Sequence, residues 1–368
     1  MPEAASAVPH WRTLEDHLPL AEWDHLARSA SEPNPFGESW SLLPALRRFD
    51  GGDRVELFRV RVGGELCGLM PLARQRGYYG YPIPALATWT HHNLFVGSPL
   101  VRRGFEDVFW RELFRWADAN PGAALFLHLD RLTEDGPLFR ALARVAESEG
   151  RAWGVVQREE RALLQSELAP EEYFQASMSG KKRKELRRQH KRLSEEGTLH
   201  FERQRDDRDL DEWIVQFLAL EQAGWKGRNG SALADDPGTR DWFARTLHGA
   251  AANGRLERLS LALDGRPIAM LANFIAPPGA FSFKTAFDER YARFSPGVLL
   301  QRENLDLLAD PEIAWCDSCA AADHPMIERI WREKRTMVRV NVAIGGRVRR
   351  ALFRQMLRAE TRGKRQGA

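Results

Sequence analysis

Three stretches of the chain hold side chains of the kinds that move protons or grip anions. In Arg290-Tyr-Ala-Arg293-Phe-Ser295-Pro296-Gly297-Val298-Leu299-Leu300, two arginines precede Ser-Pro-Gly and an apolar pattern of period 3.6 follows, which reads as a basic loop opening a helix. Free N–H groups in a first helical turn can hold an anion such as pyrophosphate. Ser295 is expected as the N-cap, Pro296 lacks the N–H that would be orphaned, and Gly297 lets a ligand approach without a Cβ in the way. An ordinary capped surface helix carries the same residues. Further on, Asp317-Ser318-Cys319 closes a strand beginning near Ile313, and His324-Pro325 reads as the start of the next helix. Strand ends are where ligands sit in αβ folds, and this one offers a carboxylate, a hydroxyl and an imidazole. Cys316 and Cys319 form a C-x-x-C pair without the other ligands of a four-coordinate zinc site, so no metal is expected.

The third stretch ends a helix at Glu221 and continues through Gly224-Trp225-Lys226-Gly227 to Gly230, a glycine-rich run suited to a substrate loop. Trp225 fits that loop or a core equally well. Lys284 and Asp288 fall on one face of a strand in which Phe281, Phe283, Thr285 and Phe287 take the other, so they either face a substrate or form an internal ion pair. His91 and His92, next to Trp89, point to opposite faces if extended and cannot share a metal. One of them can serve as a base in a cleft, and a buried structural imidazole has the same signature.

The elements that must position these residues alternate between helix and strand. The patterning predicts a helix over 21–29, a hairpin over 55–73 around Gly63-Gly64, a helix over 105–119, a strand over 124–129 and a helix over 137–149. The second half repeats the order, with helices over 211–222 and 239–252, a hairpin at Asp264-Gly265, strands over 268–275 and 281–288, the helix after Pro296 and a strand over 313–319. The fold class is therefore α/β (α+β), mixed sheets covered by helices, in two related domains that divide between 157 and 170.

At 368 residues the chain is long for one domain, and 43% hydrophobic residues with 12 tryptophans exclude a disordered chain. No apolar run is long enough to span a bilayer, the start lacks the pattern of a secretory signal, and three cysteines suit a reducing cytoplasm. Net charge is only +3, but residues 181–192 and 347–368 carry +7 each, leaving −11 on the rest. Two cationic tracts on an acidic body imply anionic partners at defined places, not DNA. The tract 181–192 reads either as a solvated helix or as a grip on phosphate: the 3′-phosphate of CoA, an anionic headgroup, or tRNA. The tail gathers Val348, Leu352, Phe353, Met356 and Leu357 on one helical side, for docking on its own protein or on an anionic membrane at the inner face.

The succession of strand, hairpin, long strand, basic loop and helix resembles the cofactor half of the GNAT acyltransferase superfamily. One extra residue between Arg293 and Gly297 departs from that superfamily's Gln/Arg-x-x-Gly-x-Gly/Ala loop. Ser179-Gly-Lys-Lys-Arg-Lys-Glu-Leu-Arg-Arg188, Leu220-Glu221-Gln-Ala-Gly224-Trp225-Lys226-Gly227, Phe283-Lys284-Thr-Ala-Phe-Asp288-Glu289, Ser295-Pro-Gly297 and Asp317-Ser318-Cys319 with His324-Pro325 and Trp331 resemble its CelD-like and FemAB-related branch. The likeness covers about residues 173–343. It implies two GNAT-like domains in tandem, 1–165 and 166–346, the second binding acyl-CoA, followed by a basic tail, 347–368.

The activity implied is acyl-CoA-dependent N-acyl transfer, most simply from acetyl-CoA, to an amine of a cell-envelope saccharide, a lipid or a related metabolite. For that chemistry the residues offer His324, Asp317 or Glu221 as base, with His92 of the first half as an alternative, and Ser318 as donor to the leaving thiolate. The resemblance assigns Arg290, Arg293, Ser295, Gly297, Val298 and Leu299 to the cofactor, and Trp225, Lys226, Lys284, Asp288 and His91 to the acceptor. Its alternatives are an aminoacyl-tRNA-dependent transferase of FemAB type, a sphingoid-base N-acyltransferase of the ceramide synthase kind, and a non-catalytic accessory protein of polysaccharide or lipid biosynthesis.

Overall fold

The computed structural model describes residues 6–8, 11, 18–51, 55–322, 324 and 326–364. They divide into two compact units, Met1–Glu159 with Thr336–Ala368, and Glu160–Arg335. Along the chain come β1 (Ser6–Val8), α1 (Leu20–Arg28), α2 (Ser39–Phe49), β2 (Val55–Val62), β3 (Glu65–Gln75), β4 (Ala85–Thr88), β5 (Leu100–Val101), α3 (Glu106–Ala119), β6 (Phe126–Thr133), α4 (Pro137–Ser148) and β7 (Trp153–Leu164). Next are α5 (Pro170–Ser177), α6 (Gly180–Glu195), β8 (Leu199–Gln204), α7 (Leu210–Ala223), α8 (Trp225–Arg228), α9 (Pro237–Ala252), β9 (Leu256–Leu263), β10 (Arg266–Ala276), β11 (Gly279–Phe287), α10 (Pro296–Glu303) and β12 (Trp315–Asp317). The chain closes with β13 (Glu333–Ala343) and α11 (Arg347–Lys364).

In the first unit the strand order is β1-β2-β3-β4-β6-β13-β7, with β5 beside β3. Residues 336–346, expected in the second domain, belong to the first unit, where Met337 to Ala343 pair with β6. Its core is aromatic and aliphatic, built on Phe58, Phe109, Trp110, Phe114 and Leu127. The parallel pair β4/β6 lasts for Ala85↔Phe126, Leu86↔Leu127 and Ala87↔His128 and then ends. Backbone fills the space beyond it. Gly97 donates its N–H to the Arg131 carbonyl at 3.0 Å. It lies so near the Asp130 carbonyl that an added Cβ would sit 2.0 Å from that oxygen, which only glycine permits.

In the second unit the order is β7-β12-β11-β10-β9-β8. The Asp264-Gly265 turn, both residues at positive φ, joins β9 to β10 as its sequence requires. Helix α9 is started by Asp236, whose carboxylate accepts the Thr239 N–H at 2.8 Å, with Pro237 next in line. Leu259, Leu261, Leu271, Leu299 and Trp331 anchor a core into which α6 sends only Leu186 and Leu193. A parallel pair occurs here too, Gly279↔Trp315, Ala280↔Cys316 and Phe281↔Asp317, and it also stops after three steps while β11 runs on to Phe287.

Candidate active site

Beyond Phe281 the second unit differs from the first. Residues 282–287 of β11 pair with β10 alone, and no backbone hydrogen bond joins them to residues 318–332 among the described residues. In an antiparallel ladder only alternate residues bond to a given neighbour, so half the amides of this run face an unpaired edge. The even alternation expected along β11 is broken, because Ser282 pairs with Asn273 and Lys284 with Ala272, leaving Phe283 as an extra residue. Phe283 turns into the core, stacked on Phe274 at 4.4 Å. The next residue, Lys284, is re-aimed, its ammonium 5.5 Å from the Phe283 ring.

Lys284 meets the end of α7. Glu221 is buried, and one carboxylate oxygen accepts Lys226 Nζ at 2.6 Å while the other accepts the Leu233 N–H at 2.8 Å. Gly227 makes the loop possible, since a Cβ there would lie 1.8 Å from the Gln222 carbonyl oxygen. Burial pushes the Lys284 ammonium down to about 8, the like charge of Lys226 adds to the effect, and Glu221 and the Cys319 thiol oppose it. His324 faces Lys226 and Glu328 and is held below its ordinary value chiefly by burial. Its Nδ1 is buried with no hydrogen-bond partner among the described residues. Glu221, Lys226, Lys284, Cys319 and His324 thus share one neighbourhood, four of the five being residues singled out from the sequence.

Other candidates stand elsewhere. Asp317 is fully buried, and its Oδ2 accepts Arg161 at 2.7 Å and Arg335 at 3.0 Å while Oδ1 takes the Cys319 N–H at 2.9 Å. It is the counter-ion of two guanidiniums, not a free base. Ser318 is buried, its hydroxyl accepting the Ala320 N–H at 3.3 Å. The helix expected from His324 does not form; residues 326–330 make a turn, and Pro325 lies outside the described residues. The far end of this covering segment is tied down by Tyr173, whose hydroxyl donates to Glu333 at 2.6 Å and accepts the Arg332 N–H at 3.0 Å. Cys316 and Cys319 are both buried, and burial pushes both thiols up.

The helix start after Pro296 is less open than expected. Ser295 adopts a left-handed conformation (φ 55°) and its side chain makes no cap. Its carbonyl instead accepts the N–H groups of Val298 at 2.9 Å and Leu299 at 3.1 Å, which removes both from an anion's reach. Gly297 lies beneath Met326, 2.5 Å from an added Cβ to Sδ, with Phe287 at 3.5 Å. Asp288 binds Arg290 through two oxygens, which neutralises Arg290. Arg293 reaches Glu196 at 2.8 Å and, with Arg192 and Gln189, lines a hollow of about 360 Å³.

A larger cavity of about 700 Å³ lies along α7, lined by Gln216, Leu220, Arg228, Arg266, Asp288 and Arg290. Arg228 and Arg266 were missed from the sequence, although Arg266 immediately follows the hairpin turn that aims it. Trp225 is 53% exposed and donates its backbone N–H to Glu289 at 2.7 Å, so it is no core residue. His91 and His92 belong to the first unit and sit in a turn, not a strand. The His91 ring stacks on Phe49 at 4.5 Å and its Nδ1 accepts the Asn93 N–H at 3.3 Å; His92 is exposed.

Residues 180–335 match the family model described as acetyltransferase (GNAT) domain. Among solved structures, FemX aligns over 88% of this chain and 96% of its own at 11% identity, with a TM-score of 0.58. The C-terminal DUF2156 domain of a putative lysylphosphatidylglycerol synthetase from Agrobacterium fabrum aligns over 88% and 90% at 12% identity (TM-score 0.53). A conserved protein of unknown function from Bacteroides thetaiotaomicron aligns over 89% and 98% at 10% identity (TM-score 0.53). No curated protein matches the sequence. Residues 180–335 are thus similar to an acetyltransferase (GNAT) domain, and over most of its length the chain has the fold seen in FemX and in the DUF2156 domain.

Proposed function

We propose that the second unit transfers an acyl group from acyl-CoA, most simply acetyl-CoA, to an amine of a cell-envelope saccharide, lipid or related metabolite. The observation that carries this reading is the unpaired edge of β11 over residues 282–287, beside which Lys284, Glu221–Lys226 and His324 converge. An extended chain bearing amides, as the pantetheine arm is, can add to such an edge as a strand would. The equivalent space of the first unit is filled by residues 94–98, which supports assigning the chemistry to the second.

His324 is the base in this reading. Burial keeps its imidazole neutral near neutral pH, and its Nδ1 makes no hydrogen bond to another described residue. It takes one proton from the acceptor's ammonium nitrogen, the amine lone pair attacks the thioester carbonyl carbon to give a tetrahedral intermediate, and as the carbon–sulfur bond breaks the nitrogen's second proton passes to the departing sulfur, releasing the neutral amide and the CoA thiol. In this reading an edge amide of β11 donates to the developing oxyanion. Lys284 and Lys226 orient the acceptor through their charge, and the cavity along α7 holds its body. Phosphates of CoA would meet Arg192, and Arg293 once it leaves Glu196, in a hollow that also holds Glu185 and Glu195, while occupation of the Gly297 turn requires Met326 to move.

One observation favours a second reading, aminoacyl-tRNA-dependent transfer. On α6, Lys181, Lys182, Lys184, Lys191 and Arg192 are exposed and in no ion pair among the described residues. Thiol release from acetyl-CoA in the presence of a panel of amino sugars and long-chain amines tests the first reading. Acceptor-dependent release that His324→Ala reduces about 10²–10⁴-fold supports it; no release with any amine, together with transfer from an aminoacyl-tRNA, sinks it.

A further inference from the structure

Helix α11 has two different faces, both within the first unit. Its inner face is fully employed. Phe353 and Leu357 are buried, with Phe353 stacked on Phe126 at 5.5 Å. Arg349 donates to the Gly122 carbonyl at 3.0 Å, Arg350 pairs with Asp118 at 2.6 Å, and Glu360 accepts the Tyr78 hydroxyl at 2.7 Å. These contacts fix the rotation of the helix about its axis, so what the other face shows to solvent is determined.

On that outer face Val348 is 76% and Leu352 54% exposed. They stand one turn apart, and uncharged Gln355 and Ala359 continue the same line. Arg347, Arg354 and Arg358 run along one flank of this stripe, exposed and in no ion pair with a described residue. No acidic side chain interrupts the outer stripe; Glu360 is turned inward. An apolar line bordered by cations on a rigidly oriented helix matches an anionic bilayer surface, whose acyl boundary accepts the aliphatic side chains while its phosphates meet the guanidiniums. We infer that the outer face of α11 is a membrane-docking surface, with anionic lipid as its partner. A nucleic acid would be served by the three arginines but gives no place to Val348 and Leu352, whose exposure is the costlier feature to leave unexplained. This inference is independent of which acyl donor the second unit uses.

Co-sedimentation of the full chain with vesicles tests it. Binding is expected to vesicles rich in phosphatidylglycerol, weak binding to pure phosphatidylcholine, and release as salt is raised. Leu352→Asp and the pair Arg354→Glu/Arg358→Glu should each lower the vesicle-bound fraction about tenfold with unchanged thermal stability, because the replaced side chains touch no core. Lys191→Glu on α6 is the control and should change little. Failure to bind anionic vesicles overturns the inference. So does binding that survives both α11 variants, or a loss of RNA binding in those variants without any loss of vesicle binding.

Discussion

Replacing Asp317 by Asn separates a structural carboxylate from a catalytic one. The wild-type carboxylate is fully buried and compensates Arg161, whose side chain is 6% exposed, and Arg335, at 12%. Asparagine keeps an oxygen for the Cys319 N–H but turns an NH₂ group toward two guanidiniums, setting donors against donors. Removing one partner of a buried ion pair costs about 3–5 kcal/mol, because the remaining charge stays desolvated and unpaired. Arg335 recovers part of this through its stacking over the Trp315 ring at 3.7 Å, so the lower end of that range, about 3 kcal/mol, is expected. At roughly 2–4 °C per kcal/mol for a unit of this size, the melting temperature falls by roughly 6–12 °C. Circular dichroism melts and urea unfolding of the full chain measure it. Below the new transition the folded fraction should turn over at near wild-type rate. Asp317→Asn combined with Arg161→Met should recover part of the stability, since one of the two guanidiniums then no longer faces the amide NH₂. Unchanged stability with turnover reduced a thousandfold or more would refute this reasoning and restore Asp317 as a base.

The pH profile of kcat/KM should be bell-shaped, with limbs belonging to different residues. His324, held below its ordinary 6.5 by burial, is active when neutral, so activity is lost as pH falls through its lowered value. Lys284, pushed down to about 8, loses the charge that orients the acceptor as pH rises through that value. Lys284→Met should abolish the alkaline limb and keep the acid one, and a wild-type profile still flat well above pH 8 would contradict the assignment. Gly297→Val should lower both stability and acyl-CoA affinity, because the new side chain displaces Met326 at a cost of about 1–3 kcal/mol. Adding Met326→Ala should return the stability, as read by thermal melts.

Much of the scaffold was legible because its signals are local. The Asp264-Gly265 turn, the apolar periodicity of Leu210–Ala223 and the Pro-Gly opening of Pro296–Glu303 each announce themselves within a few residues. The site was legible in composition and not in geometry. Glu221, Lys226, Lys284 and His324 were singled out, but the bulge at Phe283 that aims Lys284 is invisible in a strand whose alternation looks regular. Arg161 lies 156 residues from Asp317, and a single chain has no local mark of that pairing. Ser295 was read as a side-chain cap from its type, whereas the left-handed turn there gives the capping role to its carbonyl. Residues 336–343 were assigned to the second domain by proximity in sequence, and hydrogen bonding to β6 returns them to the first unit.

The central claim, that the second unit works on acyl-CoA at the unpaired edge of β11, is tested most directly by calorimetric titration of the full chain with acetyl-CoA, palmitoyl-CoA and tRNA in parallel. The account predicts saturable binding of one acyl-CoA per chain, weakened by Arg293→Glu, and no tRNA binding that competes with it. Saturable tRNA binding that Lys181→Glu/Lys182→Glu removes, with no heat from either acyl-CoA, would contradict it.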